Sequence, residues 1–234
     1  MSERLWLVVP AAGQGRRMGA DRPKQYLPLA GRPVLAHTLA RLHGAFPTAR
    51  LALCLDADDR WFDPAWVPFA HWQRIDGGRE RMESVRNALA AIDAADDDLV
   101  MVHDVARPCV TVADLQALHL AAGAHPDGAL LAMPVADTMK REGGECQSVT
   151  TEPRDGLWHA LTPQGFRFAL LERALSQATA RGITVTDDAS AVEALGRAPR
   201  LVSARRDNLK ITHPDDLALA AAILALQAGD GNEE

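Results

Sequence analysis

Pro10-Ala11-Ala12-Gly13-Gln14-Gly15-Arg16-Arg17-Met18-Gly19 runs on through Ala20-Asp21-Arg22 to Pro23-Lys24 and follows an apolar segment, Leu5 to Val9. The apolar segment reads as a buried first strand. Three glycines within seven residues make a loop whose backbone N–H groups can approach an anion closely. Between residues 13 and 24 four cations (Arg16, Arg17, Arg22, Lys24) face one acid (Asp21), a local charge of +3 in a chain whose net charge is −6. A basic, glycine-rich loop at the end of a first strand suggests phosphate binding. The dinucleotide fingerprint requires its third glycine one position earlier than Gly19, and Pro23 soon interrupts any helix. The G-x-x-x-x-G-K-[ST] phosphate loop is absent. A glycine pair alone is more often a structural turn; the continuation Arg17-Met18-Gly19…Pro23-Lys24 reverses the balance toward the phosphate reading.

Outward from this loop, strand-like apolar runs alternate with helical patterns. Val34 to Leu42 has helical spacing and closes at Gly44 and Pro47, and Arg50–Leu55 reads as a buried strand. Asp56 to Trp72, broken by Pro64 and Pro68, reads as a short helix and a loop whose three tryptophans pack. Arg74-Ile75 is too short to read as a strand. After the Gly77-Gly78 turn a helix is predicted from about Arg79 to Asp93, with Met82, Val85, Leu89 and Ile92 on one face. Asp96-Asp97-Asp98 reads as a solvated turn. Leu99–His103 has the composition of a strand buried on both faces of a parallel sheet, with a loop, Asp104 to Pro108, at its carboxyl end. Thr111 to Asp114 caps a helix to about Ala124. Gly128–Met133 is a further strand.

Pro134 to Gly156 lacks apolar periodicity and reads as an excursion, a β-arm, because a structureless loop of that length is unusual in a compact domain. Helices are predicted from about Gly165 to Arg181, from the Thr186-Asp187-Asp188 cap to Leu195, and from Thr212 to about Ala228, with a strand at Arg200–Ala204. The pattern predicts an α/β, Rossmann-like fold: one domain over residues 1–234, a mostly parallel sheet with helices on both faces. Ligands in such sheets sit at the carboxyl ends of the strands, so the loops Gly13–Lys24 and Asp104–Pro108 are expected on one rim.

Composition narrows the chemistry. The acidic balance argues against nucleic-acid binding. No apolar run approaches the length of a membrane span. The N-terminus lacks a signal-peptide layout, and three widely spaced cysteines (Cys54, Cys109, Cys146) fit a reducing cytoplasm rather than a disulfide frame or zinc site. The eight histidines show no metal-ligand spacing; His103 reads as a buried structural residue. Cations on one rim (Arg17, Lys24, Arg107, Arg154, Lys210) with the loop carboxylate Asp104 suit phosphoryl or nucleotidyl transfer, where positioning and electrostatic stabilisation do most of the work.

Pro10–Gly19 with Pro23-Lys24-Gln25-Tyr26 resembles the signature of the 2-C-methyl-D-erythritol 4-phosphate cytidylyltransferases. So do Gly77-Gly78…Arg81…Ser84-Val85, Val102-His-Asp-Val-Ala-Arg-Pro108 and Asp137-Thr138-Met139-Lys140. Leu157-Trp-His-Ala-Leu-Thr-Pro-Gln164, Thr186-Asp187-Asp188-Ala-Ser190 and Asp207-Asn-Leu-Lys-Ile-Thr212 complete the series. The blocks keep the family's order and span nearly the whole chain. The resemblance implies CMP transfer from CTP to methylerythritol phosphate, on the non-mevalonate route to isoprenoid precursors. Arg17 and Lys24 would stabilise the transition state, and Arg154 and Lys210 would position the acceptor. Pro10, Ala11, Ala12, Gly13, Gly15, Gly78 and Ser84 would hold the nucleotide. Asp104, Arg107, Thr138 and Thr162 would line the acceptor site. The resemblance also implies Mg²⁺, held mainly by the triphosphate with Asp104 nearby, and a homodimer joined through the 134–156 arm. No fused downstream cyclase is expected. A cytidylyltransferase for ribitol 5-phosphate and a non-catalytic nucleotide-binding module stand as the alternatives.

Overall fold

In the computed structural model, which describes residues 4–13, 19 and 21–230, the apolar run near the N-terminus forms β1 (Leu5–Pro10). After a 3₁₀ turn at Lys24–Tyr26 come the short strands β2 (Pro28–Leu29) and β3 (Arg32–Pro33), then α1 (Val34–Ala45), β4 (Arg50–Leu55), β5 (Trp72–Asp76), α2 (Arg81–Ala91) and β6 (Leu99–Val102). The chain continues through α3 (Val112–Ala124), β7 (Ala129–Pro134), β8 (Met139–Glu142), β9 (Ser148–Glu152) and β10 (Trp158–Arg167). It ends with α4 (Phe168–Ala180), α5 (Asp188–Glu193), β11 (Arg200–Ser203) and α6 (Asp215–Asp230).

Seven strands form the main sheet in the order β11-β7-β10-β6-β1-β4-β5. β10 runs antiparallel to β6 and β7, and the remaining pairs are parallel. Alternation along each strand divides the core between two faces. Leu7 and Val9 of β1 pack with Leu35, Leu39 and Leu42 of α1 and Leu115 and Leu118 of α3. Trp6 and Val8 point the other way, toward Val85 and Leu89 of α2, Leu171 and Leu175 of α4 and Val192 of α5. Helices therefore cover both faces. A smaller cluster joins α6 to the β2–β3 ribbon through Leu29, Val34, Cys109, Ile211 and Ala220, which brings the 207–212 segment beside the Asp104 loop.

Local chemistry explains several boundaries. Thr111 caps α3 by accepting the Asp114 N–H at 3.1 Å, and Asp187 caps α5 by accepting from Ser190 N at 2.9 Å. At α2 the Glu83 carboxylate reaches back to the N–H of Arg79 at 2.7 Å.

Three expectations are corrected. Trp72–Asp76 is a strand, although Arg74-Ile75 alone was too short to read as one: it pairs along β4 as the sheet edge, and an edge strand needs few apolar residues. Gly165–Arg167 is strand rather than helix, because Gln164–Arg167 pairs antiparallel with Leu99–Val102; the helix starts only at Phe168. Asp98 is buried rather than solvated. It binds Arg4 through a 2.9 Å ion pair and accepts the N–H groups of Arg4 and Ala95, and those bonds outweigh burial and hold its carboxyl low. The tryptophans of the 56–72 segment pack against the core as expected.

Residues 139–152 form a separate antiparallel hairpin of β8 and β9. Val149, Leu157 and Trp158 are exposed apolar side chains on and beside it.

Candidate active site

The carboxyl ends of β1, β5 and β6 open onto one cleft, lined by Pro10 to Gly13, Lys24, Gly78, Arg81, Ser84, Asp104 and Lys210 among others. The loop after β1 and the loop after β6 thus share one rim. Main-chain contacts set its floor. Ala11 N–H donates to Cys54 O at 2.8 Å, and the buried Gln25 amide donates to Ala11 O at 2.6 Å. The Gly77-Gly78 turn needs both glycines. A Cβ on Gly77 would lie 2.3 Å from Ala12 Cβ, and one on Gly78 would lie 2.2 Å from Glu83 Cβ. Gly78 N–H donates to Ser84 Oγ at 3.0 Å and Ser84 Oγ–H to Glu80 O at 3.2 Å, so Ser84 shapes the turn as well as lining the cleft.

Asp104 is the electrostatic centre. Its Oδ1 lies 2.8 Å from Arg81 Nε and its Oδ2 2.6 Å from Lys210 Nζ, while Arg107 Nε stands 4.0 Å off. Burial alone would raise this carboxyl, but Arg81 and Lys210 outweigh it and hold Asp104 well below the usual carboxylate range. Arg81 turns its other side to Asp188, with Nη2 to Oδ2 at 2.7 Å. Burial works against the Arg81 charge, and the two acids more than compensate. Burial pushes the Asp188 carboxyl up, opposed by Arg81.

Behind the cleft a buried relay fixes the Asp104 backbone. Asp104 N–H donates to Thr162 Oγ1 at 3.1 Å. Thr162 Oγ1 lies 3.1 Å from His103 Nδ1, and His103 Nε2 lies 3.1 Å from Arg107 O. A carbonyl only accepts, so Nε2 carries the proton and Nδ1 accepts from Thr162. His103 is fully buried, and burial pushes its titration down to about 4. It is the buried structural histidine expected.

The predicted residues divide by location. Lys24 and Lys210 line the same cleft, and Lys24 Nζ donates to Ile211 O at 3.1 Å. Arg107 is buried and donates to Asn208 O at 2.7 Å, pinning the 207–212 segment rather than facing solvent. Thr162 is buried behind Asp104. Thr138 and Arg154 are exposed near the base of the hairpin, away from the cleft lining, and the Arg154 guanidinium donates to Ala136 O. Gly15 and Arg17 lie outside the described residues. Asp104 does not fit a metal ligand here, since Arg81 and Lys210 engage both its oxygens. No group of three or more His, Cys, Asp or Glu among the described residues is arranged to hold an ion. Arg81 and Asp188 are the site residues to which the sequence motifs assign no role. The available signal was a second acid, Asp188, beside the cap residue Asp187, where capping needs only one.

The family model of the 2-C-methyl-D-erythritol 4-phosphate cytidylyltransferases matches residues 5–226. A protein of that name from Chromohalobacter salexigens is 66% identical over 95% of this chain and 90% of its own length. A crystal structure described as 4-diphosphocytidyl-2C-methyl-D-erythritol synthase superposes with a TM-score of 0.83 at 34% identity, covering 96% of this chain and all of that one. The Francisella tularensis 2-C-methyl-D-erythritol 4-phosphate cytidylyltransferase superposes with a TM-score of 0.82 at 32% identity, over 94% of this chain and 100% of that one. The chain therefore belongs to the 2-C-methyl-D-erythritol 4-phosphate cytidylyltransferase family.

Proposed function

We infer that this protein transfers CMP from CTP to 2-C-methyl-D-erythritol 4-phosphate, giving 4-diphosphocytidyl-2-C-methyl-D-erythritol and pyrophosphate, a step in isoprenoid precursor synthesis. The supporting observation is family membership along nearly the full chain, joined to a cleft lined by Lys24, Lys210 and the Asp104 carboxylate. In the reaction an acceptor phosphate oxygen attacks the α-phosphorus of CTP, a new O–P bond forms, and pyrophosphate leaves with the electron pair of the broken bond. A phosphate monoester loses its second proton near pH 6, so the nucleophile is already ionised and needs no general base. The buried, neutral His103 is consistent with that.

We assign the nucleotide to Pro10–Gly13, Gly15, Gly78 and Ser84, where small side chains let the backbone approach the base. Lys24 and Arg17 take up the negative charge that develops at the α-phosphate and on departing pyrophosphate. Lys210, Asp104, Arg107 and Thr162 set the acceptor side. Thr138 and Arg154 reach an acceptor site from the partner in a homodimer; the exposed apolar side chains Val149, Leu157 and Trp158 favour an occupant for that hairpin. We assign Mg²⁺ to the triphosphate, as part of the CTP substrate, because the residues lining the cleft build no cage for it. Among the described residues no helix is long and apolar enough to cross a membrane. The free cysteines Cys54, Cys109 and Cys146 fit a cytoplasmic setting.

The test is pyrophosphate release from CTP with a panel of polyol phosphates. Turnover with methylerythritol phosphate well above that with ribitol 5-phosphate is the expected result. Turnover with ribitol 5-phosphate alone would overturn the acceptor assignment, and turnover with none would overturn the enzyme reading.

A further inference from the structure

Resting on the reading of Asp104 and Lys210 as the acceptor side, we propose that Asp188 is a positioning residue for the transfer: through Arg81 it fixes the Asp104 carboxylate and so aims Lys210 at the acceptor.

Among the described residues, the hydrogen bond that links the Asp188 side chain to the cleft lining is the one to Arg81. Its side chain is 1% exposed, and Oδ2 meets Arg81 Nη2 at 2.7 Å. Its other oxygen, Oδ1, is buried with no hydrogen-bond partner among the described residues. A buried carboxylate with one oxygen unsatisfied costs stability, so packing alone gives no reason for an acid at this position. The Arg81 contact does. Arg81 lines the cleft, where an unpaired guanidinium would be drawn to a triphosphate. With Asp188 behind it, half of its hydrogen-bonding fork is held away from the cleft, and Nε stays on Asp104 Oδ1 at 2.8 Å. That contact leaves Asp104 Oδ2 facing Lys210 Nζ at 2.6 Å.

The anchor is independent of the cleft. Gln164 of β10 accepts the Ala189 N–H and donates to Asp187, both at 2.7 Å. The first turn of α5, and Asp188 with it, is thereby tied to the central sheet as well as to Arg81. Asp104 is tied from its own side by Thr162. Arg81 thus spans two fixed acids, a geometry that suits a planar fork and not the single point charge of lysine.

The experiment measures steady-state kinetics with each substrate varied, equilibrium CTP binding and thermal denaturation for Asp188→Asn, Arg81→Lys and the double variant. Both singles are expected to lose about tenfold in kcat/KM for the acceptor. Asp188→Asn should bind CTP within about twofold of wild type, and the double should be no worse than Arg81→Lys, because both substitutions break one bridge. Unchanged acceptor kinetics in a folded Asp188→Asn protein, equal losses toward both substrates, or additive losses in the double would overturn the proposal. If Asp188→Asn does not fold, Arg81→Lys decides, since it keeps the charge and breaks only the span: unchanged acceptor kinetics there overturns the bridge, and the acceptor-specific loss supports it. Lys210→Ala separates this proposal from the reading beneath it. Impaired acceptor use in Lys210→Ala with normal Asp188→Asn sinks only the bridge, whereas normal acceptor use in Lys210→Ala sinks the acceptor-side assignment itself.

Discussion

Replacing Gly77 by alanine tests whether the nucleotide rim is built by close backbone approach. The added Cβ would stand 2.3 Å from Ala12 Cβ, 3.1 Å from Ser84 Oγ and 3.3 Å from Leu55 O. Carbon atoms in contact prefer about 3.5–4.0 Å, so the two methyls overlap by more than about 1 Å. Neither methyl has a torsion through which to escape, and Gly77 is held by its own N–H bond to Leu55 O at 2.7 Å. The backbone must therefore shift, at the cost of overpacking, about 1–3 kcal/mol. In a chain of this size each kcal/mol moves Tm by about 2–4 °C, so a fall of about 2–12 °C is expected. The displaced partner is Ala12, which lines the cleft on the side proposed for the nucleotide. KM for CTP should rise while KM for the acceptor moves less.

Two further variants make the assignment specific. Ala12→Gly removes the methyl that Gly77→Ala would meet, so the double variant should recover most of the Tm lost relative to Ala12→Gly alone. Gly229→Ala, where a Cβ meets nothing within 4 Å, lies in the last turn of α6. It should leave Tm unchanged or slightly raised, since alanine is favoured over glycine in helices by up to about 1 kcal/mol. A Gly77→Ala protein melting within about 1 °C of wild type, or a double variant with no recovery, would refute the reasoning.

Lys24→Ala should lower kcat by about 10²–10³-fold, the loss of about 3–4 kcal/mol expected for a charged donor at a transition state; a rate within tenfold of wild type would remove Lys24 from the chemistry. Stability should fall on acidification through His103. Its folded-state titration lies at about 4 against about 6.5 when unfolded, so the unfolded chain takes up a proton first as pH drops through that window, a loss of about 2–3 kcal/mol by pH 4.5. His37, also lowered by burial, adds in the same sense, and the raised Asp188 opposes it. The measurement is therefore the difference between wild type and His103→Gln urea curves at pH 7 and 4.5, and equal pH slopes for the two proteins would count against the buried neutral imidazole.

What could be read from the chain followed the range of the physics involved. Arg50–Leu55 needed only its own composition to be recognised as a strand, and the α3 cap only the spacing of Thr111 and Asp114. The parallel sheet followed from alternation of strands and helices. Failures came where a partner distant in sequence decided the outcome. Gly165–Arg167 became strand because β6 was available to pair with it, and Asp98 became buried because Arg4, 94 positions earlier, met it.

The same division runs through the cleft, between the proposed nucleotide and acceptor sides. The proposed nucleotide side draws on short-range features: a two-glycine turn and a serine six positions after Gly78 that closes that turn. Each could be found in a window of sequence because each is one turn of backbone. The proposed acceptor side is made of charges that meet only after folding. Asp104 takes Arg81 from 23 positions before it and is joined by Lys210 from the far end of the chain, while Arg81 takes Asp188 across 107 positions. None of these residues carries information about its partner in its own neighbourhood. On the proposed assignment the nucleotide side is thus legible in local motifs, whereas the acceptor side rests on an ion-pair geometry that only the folded sheet creates, with the loop after β6 supplying Asp104, α2 supplying Arg81 and α5 supplying the acid behind it.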